Sequence, residues 1–446
     1  MNPFFGRGFL FLRIKLFSVD IASLYQIFLQ YPSVQTDTRK LKNGDLFFAL
    51  KGPNFNGNAF ARQALDAGAA YAVIDEAAYA GDDRFIVVPD VLTALQQLAH
   101  YHRQQFNIPF IAITGSNGKT TTKELITAVL KTQFVTYATE GNLNNHIGVP
   151  LTLLRIKKDA EMAVIEMGAN HQQEIAGYCK IATPTHGLIT NAGKAHLEGF
   201  GSLEGVRKGK GELYDFLRVN NGVIFRNEDL SYLKEMAKGI ANQVTYGSAN
   251  AQYIGKPIMD DLFLKVAVLT AGNETLLSTH LVGEYNFPNV MVAVAIGLHF
   301  GIPIDQIKAA IAAYNPDNSR SQWMQQGSNQ IILDAYNANP TSMRAAVQNF
   351  ANTQMKHKHL WLGAMKEMGT EEQKEHEDLV ALIKQYQWEE VIFVGKEFEP
   401  VKSDYLYFAD SKLAAAYIAQ HKLENASILI KGSRGSKMEI LLEALH

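Results

Sequence analysis

Short apolar runs alternate with stretches of helical periodicity along most of this chain. Over residues 20–107, runs at 45–50, 71–75 and 85–88 read as strands, and 59–67 reads as a helix. The alternation continues over 108–315, where strands are expected at 108–114, 162–166 and 187–190. Residues 287–300 are apolar almost all round, as in a buried helix. Beyond residue 330, strands are expected at 331–334, 359–362, 391–394 and 427–430, with helices between them. Such a rhythm predicts an α/β fold of parallel sheets covered by helices. A turn-rich stretch at 314–319 marks a linker. At 446 residues the chain exceeds one ordinary core, and the pattern divides it into an extension (1–19) and three domains (20–107, 108–315 and 316–446).

Composition narrows the picture only slightly. A chain 47% hydrophobic and 19% charged is globular rather than disordered. Its formal net charge of −2 provides no general attraction for nucleic acid or an anionic membrane. Cys179 is the single cysteine, which excludes an internal disulfide and a Cys-based zinc site. Residues 1–17 are apolar and basic, like a weak signal peptide, but Arg7, Arg13 and Lys15 interrupt them and no Ala-x-Ala site follows. They are also too short and too charged to span a bilayer, so they read as a peripheral extension.

The chemistry concentrates after the strand at 108–114. Thr114-Gly-Ser-Asn-Gly-Lys-Thr120 is a Gly-rich turn that opens a helix on consecutive threonines. Gly115 and Gly118 let backbone approach an anion closely. The amides from Asn117 to Thr120 are expected to face a phosphate at the positive end of the helix dipole. Lys119 would reach the outer phosphates and the Thr120 hydroxyl a Mg²⁺ ion. Ile113 stands where the full Walker A pattern has its first glycine. The motif reads as an ATP site, with Gly115, Ser116, Asn117, Gly118, Lys119, Thr120 and Thr121 as candidate contacts.

Two more strand ends carry candidate groups. Glu166 closes the run at 162–166, where a carboxylate is a hard ligand suited to Mg²⁺. His196 lies just beyond the strand at 187–190, as a ligand or an acid–base residue would. The basic stretch that follows reads as an exposed helix start at Arg207 and Lys208; Lys210 is harder to place, because an ammonium repels a metal ion.

The phosphate loop, Glu166, His196 and Lys210 together resemble the Mur ligase family, which builds the peptidoglycan stem peptide. The resemblance runs from about Thr36 to Glu439. Within the family, the chain is similar to the member that joins D-alanyl-D-alanine to UDP-N-acetylmuramoyl-tripeptide. The blocks that carry the likeness are Gly141-Asn-Leu-Asn-Asn-His-Ile-Gly-Val-Pro-Leu-Thr152, Glu166-Met-Gly-Ala-Asn170, Ala195-His-Leu-Glu-Gly-Phe-Gly-Ser202, Asp334-Ala-Tyr-Asn-Ala-Asn-Pro340 and Ile430-Lys-Gly-Ser-Arg-Gly435.

The resemblance implies three domains: an N-terminal UDP-substrate domain, a central P-loop ATPase domain and a C-terminal Rossmann-like domain that binds the dipeptide. It also implies an ATP-dependent amide ligase acting through an acyl phosphate in the cytoplasm; a monomer is expected, and charge and segment length argue for no nucleic-acid partner and no stable membrane insertion. Lys119, Glu166, His196 and Lys210 become the catalytic set. Two Mg²⁺ ions are expected, one held by Thr120, Glu166 and the ATP phosphates, the other near His196 and Lys210, whose family counterpart is carbamylated. Asn286, Asn289 and Arg320 match nucleotide-side positions. Thr38 and Arg39 match the UDP end, and Asn144, Asn145, Asp334, Asn337 and Asn339 the remaining substrate positions. Two departures stand out: Tyr285 replaces a common histidine in the adenine-contacting segment, and Ala364 replaces a usual aspartate. The nearest other readings are the preceding stem-peptide ligase, a folate polyglutamate ligase, and a P-loop switch or motor. Within 108–315, no apolar run ends in a Walker B aspartate, which counts against the last of these.

Overall fold

This computed structural model describes residues 20–260, 262–270, 272–317 and 319–445; the extension expected at 1–19 lies outside them. The described chain forms two compact units, one made of residues 20–106 and 153–155, the other of 107–152 and 156–445.

In the first unit, strands β1 (Val34–Gln35), β2 (Leu46–Phe48), β5 (Tyr71–Ile74) and β6 (Phe85–Val87) form a parallel sheet in that order. A small hairpin pairs β3 (Lys51–Gly52) with β4 (Phe55–Asn56). Phe47, Ala49, Leu65, Ala72 and Ile74 share its core. Asp20 caps the helix Ile21–Gln30 through Ser23 N at 2.8 Å, and Asp90 caps Val91–Arg103 through Thr93 N at 2.6 Å. The expected helix at 59–67 is a 3₁₀ turn, Gly57–Phe60, leading into the helix Ala61–Asp66.

The second unit holds two larger sheets. The first comprises β7 (Phe110–Thr114), β8 (Thr136–Ala138), β9 (Met162–Glu166), β10 (His186–Ile189), β11 (Val223–Asn227), β12 (Asn242–Gly247), β13 (Tyr253–Asp260), β14 (Phe263–Thr270) and β15 (Asn273–Val282). Their order is β15-β14-β13-β12-β11-β10-β7-β9-β8. β7 and β9 are buried along their whole length, which explains their unbroken apolar runs. The helices Lys119–Leu130 and Phe287–His299 pack over the sheet around Ile111, Ile113, Leu125, Val129, Val290 and Val294. The second helix is buried nearly all round, as its composition demands.

The sheet departs from the all-parallel expectation at β14, which runs antiparallel to both β13 and β15. Pairing of Asp260 with Phe263, and of Thr270 with Asn273, leaves two-residue connections that only antiparallel neighbours can use. Gly272, at φ 83°, supplies the left-handed turn residue.

The other sheet holds β16 (Gln322–Gln326), β17 (Asn329–Asp334), β18 (Lys358–Gly363), β19 (Glu390–Val394), β20 (Leu406–Phe408) and β21 (Ser427–Lys431), in the order β16-β17-β21-β18-β19-β20. It has its own core of Ile331, Leu333, Trp361, Ile392, Ile428 and Ile430. Only β16 runs antiparallel.

Register sets the site. Ile113 pairs with Glu166 and Thr114 with Ile189, so the phosphate loop, Glu166 and the segment after β10 leave the sheet level with one another. In the other sheet, Asp334 pairs with Lys431. Open α/β sheets bind ligands beyond such carboxyl ends.

Candidate active site

The phosphate loop is held by the segment that follows β10. Asn117 N–H donates to Asn191 Oδ1 at 3.0 Å, while Thr190 Oγ1 and Asn191 Nδ2 donate to Asn117 O at 2.6 and 3.1 Å. Ser116 Oγ donates to Gly193 O at 2.9 Å. The Asn117 amide, expected to face a phosphate, is therefore taken by a side chain. Gly115 and Gly118 have φ of 146° and 78°, and Gly118 caps the helix Lys119–Leu130 in the left-handed conformation. Lys119 Nζ donates to Gly115 O at 2.6 Å, and burial pulls its pKa below the usual lysine range.

Glu166 is 1% exposed. Its carboxylate accepts from Thr120 Oγ1 at 2.9 Å and from Asn144 Nδ2 at 2.7 Å, both neutral donors. A buried carboxylate beside a hydroxyl fits a hard cation there. His196 Nδ1 bonds to Glu367 of the other sheet's loops, and both residues have positive φ. That bond holds the Glu367 carboxyl below the usual glutamate range. With Nδ1 turned to a carboxylate, Nε2 is the nitrogen left to act as a ligand.

Lys210 is 1% exposed, donates to Ala169 O at 3.0 Å and lies 5.0 Å from the centre of the Phe200 ring. Burial, reinforced by the Lys119 charge, pushes its pKa well below the ordinary value. As an unmodified amine it does not suit a metal; as a carbamate it would. Among the described residues, no group of three or more His, Cys, Asp or Glu could hold a metal ion. A cation at the phosphate loop would therefore depend on Thr120, Glu166 and ligand oxygens. Arg207, expected as an exposed charge, instead lies over the Tyr232 ring at 4.8 Å, and the Tyr232 hydroxyl accepts from Ala192 N at 2.9 Å.

A cavity of about 550 Å³ joins these groups to the C-terminal sheet. Ser116 to Thr121, Asn144, Asn145, Glu166, His196, Asn286, Asn289, Arg320, Asp334, Asn337 and Asn339 line it, whereas Gly115 and Lys210 lie outside the lining. Asn289 accepts from Thr122 Oγ1 at 3.1 Å and donates to Asn286 Oδ1 at 2.9 Å. Asn339 Nδ2 donates to Asn117 Oδ1 at 2.7 Å. Asn339 also caps the helix Pro340–Asn352 in a reciprocal capping box with Ser342. Thr38 and Arg39 belong to the first unit, where Arg39 is exposed and paired with Asp37 at 2.8 Å.

Sequence reasoning passed over three groups. Lys431 is buried and bonds Asp334 Oδ2 at 2.5 Å; its signal was its place at the end of a strand, inside a block already singled out. Tyr336 carries the Arg320 guanidinium 3.7 Å above its ring. Asn191 fixes the phosphate loop, and nothing in its local pattern distinguishes it. At the two departures, Tyr285 Oη bonds Ser321 Oγ at 3.0 Å. Ala364 is fully buried near Glu397, whose carboxylate is paired with Lys366.

Residues 30–103 match the model described as Mur ligase family, catalytic domain; 113–297 match the Mur ligase middle domain, and 319–434 the Mur ligase glutamate ligase domain. The chain belongs to the Mur ligase family. Among the family's members, UDP-N-acetylmuramoyl-tripeptide–D-alanyl-D-alanine ligase of Escherichia coli K12 is 37% identical over 432 residues, 93% of each chain. The enzyme of that name from Bacillus subtilis is 35% identical over 425 residues, 92% of each chain. A crystal structure of MurF from Acinetobacter baumannii superposes with a TM-score of 0.83 at 31% identity over 93% of each chain. MurF ligase from Thermotoga maritima in complex with ADP gives 0.84 at 26% identity, covering 94% of this chain and 97% of that one.

Proposed function

We propose that this Mur ligase joins D-alanyl-D-alanine to UDP-N-acetylmuramoyl-tripeptide at the expense of ATP, in the cytoplasm and as a monomer. The observation that carries this reading is the convergence of a phosphate loop with Glu166 on one cavity whose opposite wall is Asp334, Asn337, Asn339 and Lys431. Further support comes from the names of the relatives and the ADP complex of a close structural neighbour.

In the first step, an oxygen of the stem-peptide carboxylate attacks the γ-phosphorus, the bond to ADP breaks, and an acyl phosphate forms. Lys119 offsets charge on the phosphate oxygens, and the loop glycines admit those oxygens close to backbone. Asn286 and Asn289 face the base, and Arg320, held over Tyr336, faces the nucleotide. In the second step, the dipeptide nitrogen attacks the acyl carbon, the amine gives up a proton, and the tetrahedral intermediate expels inorganic phosphate. Asp334, held by Lys431, sits at the reaction centre, Asn337 and Asn339 orient the dipeptide, and Asn144 and Asn145 are further substrate contacts. Thr38 and Arg39 take the UDP end.

Two Mg²⁺ ions complete the assignment, one at Thr120 and Glu166, one at His196 and Lys210. When bound, they would neutralise charge on phosphate and acyl-phosphate oxygens. Burial favours the neutral Lys210 amine, the form that adds to carbon dioxide with loss of a proton to give a carbamate. The domain bounds 20–107, 108–315 and 316–446 belong to the same reading.

The test is a coupled assay of phosphate release and amide product with ATP, either UDP-muramoyl-tripeptide (diaminopimelate or lysine at the third position), and D-alanyl-D-alanine, a free diamino acid or glutamate as acceptor. Product with the dipeptide alone, lost in Lys119→Ala, is expected. Product with another acceptor, or turnover retained in Lys119→Ala, overturns the reading.

A further inference from the structure

The segment after β10 that braces the phosphate loop also reaches away from its own sheet. Lys194 Nζ donates to Glu375 Oε1 at 2.5 Å, on the helix Glu372–Ile383, which packs against the helix Pro340–Asn352 of the C-terminal half. The Glu375 side chain is 4% exposed and that of Lys194 43% exposed, so a buried carboxylate has its counter-charge supplied from the other half of the site. An exposed pair is usually worth little, but one whose carboxylate is desolvated is costly to break from either side. Three more contacts cross at the same level: Asn339 to Asn117, the His196–Glu367 pair, and Glu198 N to Glu367 O at 3.3 Å. Neither Lys194 nor Glu375 lines the cavity, so the pair can influence chemistry only through those neighbouring contacts.

We propose that Lys194 and Glu375 are a positioning pair that fastens the C-terminal sheet to the phosphate-loop brace, setting Asn339 and Glu367 against Asn117 and His196. The inference rests on the ligase reading above. Its consequence falls on the second step, because the wall that orients the incoming amine comes from the C-terminal sheet while the acyl phosphate forms over the other. Small displacements between two such walls cost rate without disturbing either binding site alone.

Lys194→Ala, Glu375→Gln and the double variant of the full chain test this. D-Alanyl-D-alanine is varied at saturating ATP and UDP-tripeptide, and ADP affinity is measured by calorimetry. Each single change is expected to lower kcat/KM for the dipeptide by about five- to tenfold, with ADP affinity unchanged. The double variant is expected to be no worse than the poorer single one, as for residues acting through one shared contact. Lys194→Ala with wild-type kcat/KM overturns the proposal. So do losses that multiply in the double variant, or ADP affinity that falls in step with activity. Wild-type protein that makes no amide overturns the ligase reading and the pair's role together, so the two failures are distinguishable.

Discussion

Replacing Gly118 with alanine strains the phosphate loop in both backbone and space. The residue has a φ of 78°, and an added Cβ would lie 2.6 Å from Asn289 Oδ1 and 3.1 Å from its Nδ2. Alanine in the left-handed region costs about 1–2 kcal/mol. Pushing Asn289 aside also breaks its bonds with Thr122 and Asn286, each worth about 1 kcal/mol net. Together, holding the loop in its present shape would cost about 3–4 kcal/mol. A loop that relaxes to escape this cost must recover its shape to bind phosphate, so the penalty appears as lost affinity. ADP binding, measured by calorimetry with Mg²⁺ present, is expected to weaken by about 100-fold or more. Gly141→Ala is the control. Gly141 also has positive φ (52°), but its Cβ would meet nothing within 4 Å, so ADP affinity is expected to be unchanged. A folded Gly118→Ala protein whose ADP affinity stays within about threefold of wild type would refute the argument from Asn289.

Lys210→Ala is expected to lower ligation by about 10- to 100-fold, with partial recovery when short-chain carboxylates are added; failure to recover in a folded variant removes the carbamate. Acid stability offers another check. Burial, with the neighbouring His299 adding to it, lowers the His186 pKa to about 4 from the usual 6.5. The folded state therefore binds this proton more weakly than the unfolded chain. The resulting stability is present above pH 6.5 and is lost as pH falls toward 4. Between pH 7 and 5 the loss amounts to about 2 kcal/mol. In denaturant titrations, His186→Phe is expected to flatten that fall; an unchanged slope would refute it.

Much of the fold was legible because its central strands are buried on both faces. The expected strands at 162–166 and 391–394 match β9 and β19 to within a residue, since nothing but continuous apolar sequence satisfies a two-sided core. β13–β15 were not anticipated. β14 buries Leu264, Val266 and Val268 and leaves Leu269 outward, while Ile258 and Met259 of β13 and Leu276 of β15 are exposed, so outward apolar residues dilute the alternation. The phosphate loop, Glu166 and His196 were legible because strand ends announce themselves. Lys431 and Glu367 were not, because their roles depend on partners 97 and 171 residues away. Lys210 shows the limit from the other side. Charge pattern alone reads Arg207 and Lys208 as exposed but does not place Lys210, which the helix turns inward, against Phe200 and Ala169.

The two walls of the cavity are built on separate cores, and that division bears on how the acceptor range of such an enzyme could be redesigned. Asp334 and Lys431 sit on neighbouring strand ends, and Asn337 and Asn339 follow within five residues of the first. All four rest on the core of Ile331, Trp361 and Ile430, which contains no residue of the phosphate-loop core. A library confined to the ends of β17 and β21 could therefore search for new amine acceptors while leaving carboxylate activation intact. Asn339 is the position to hold fixed, because its side chain answers to both halves.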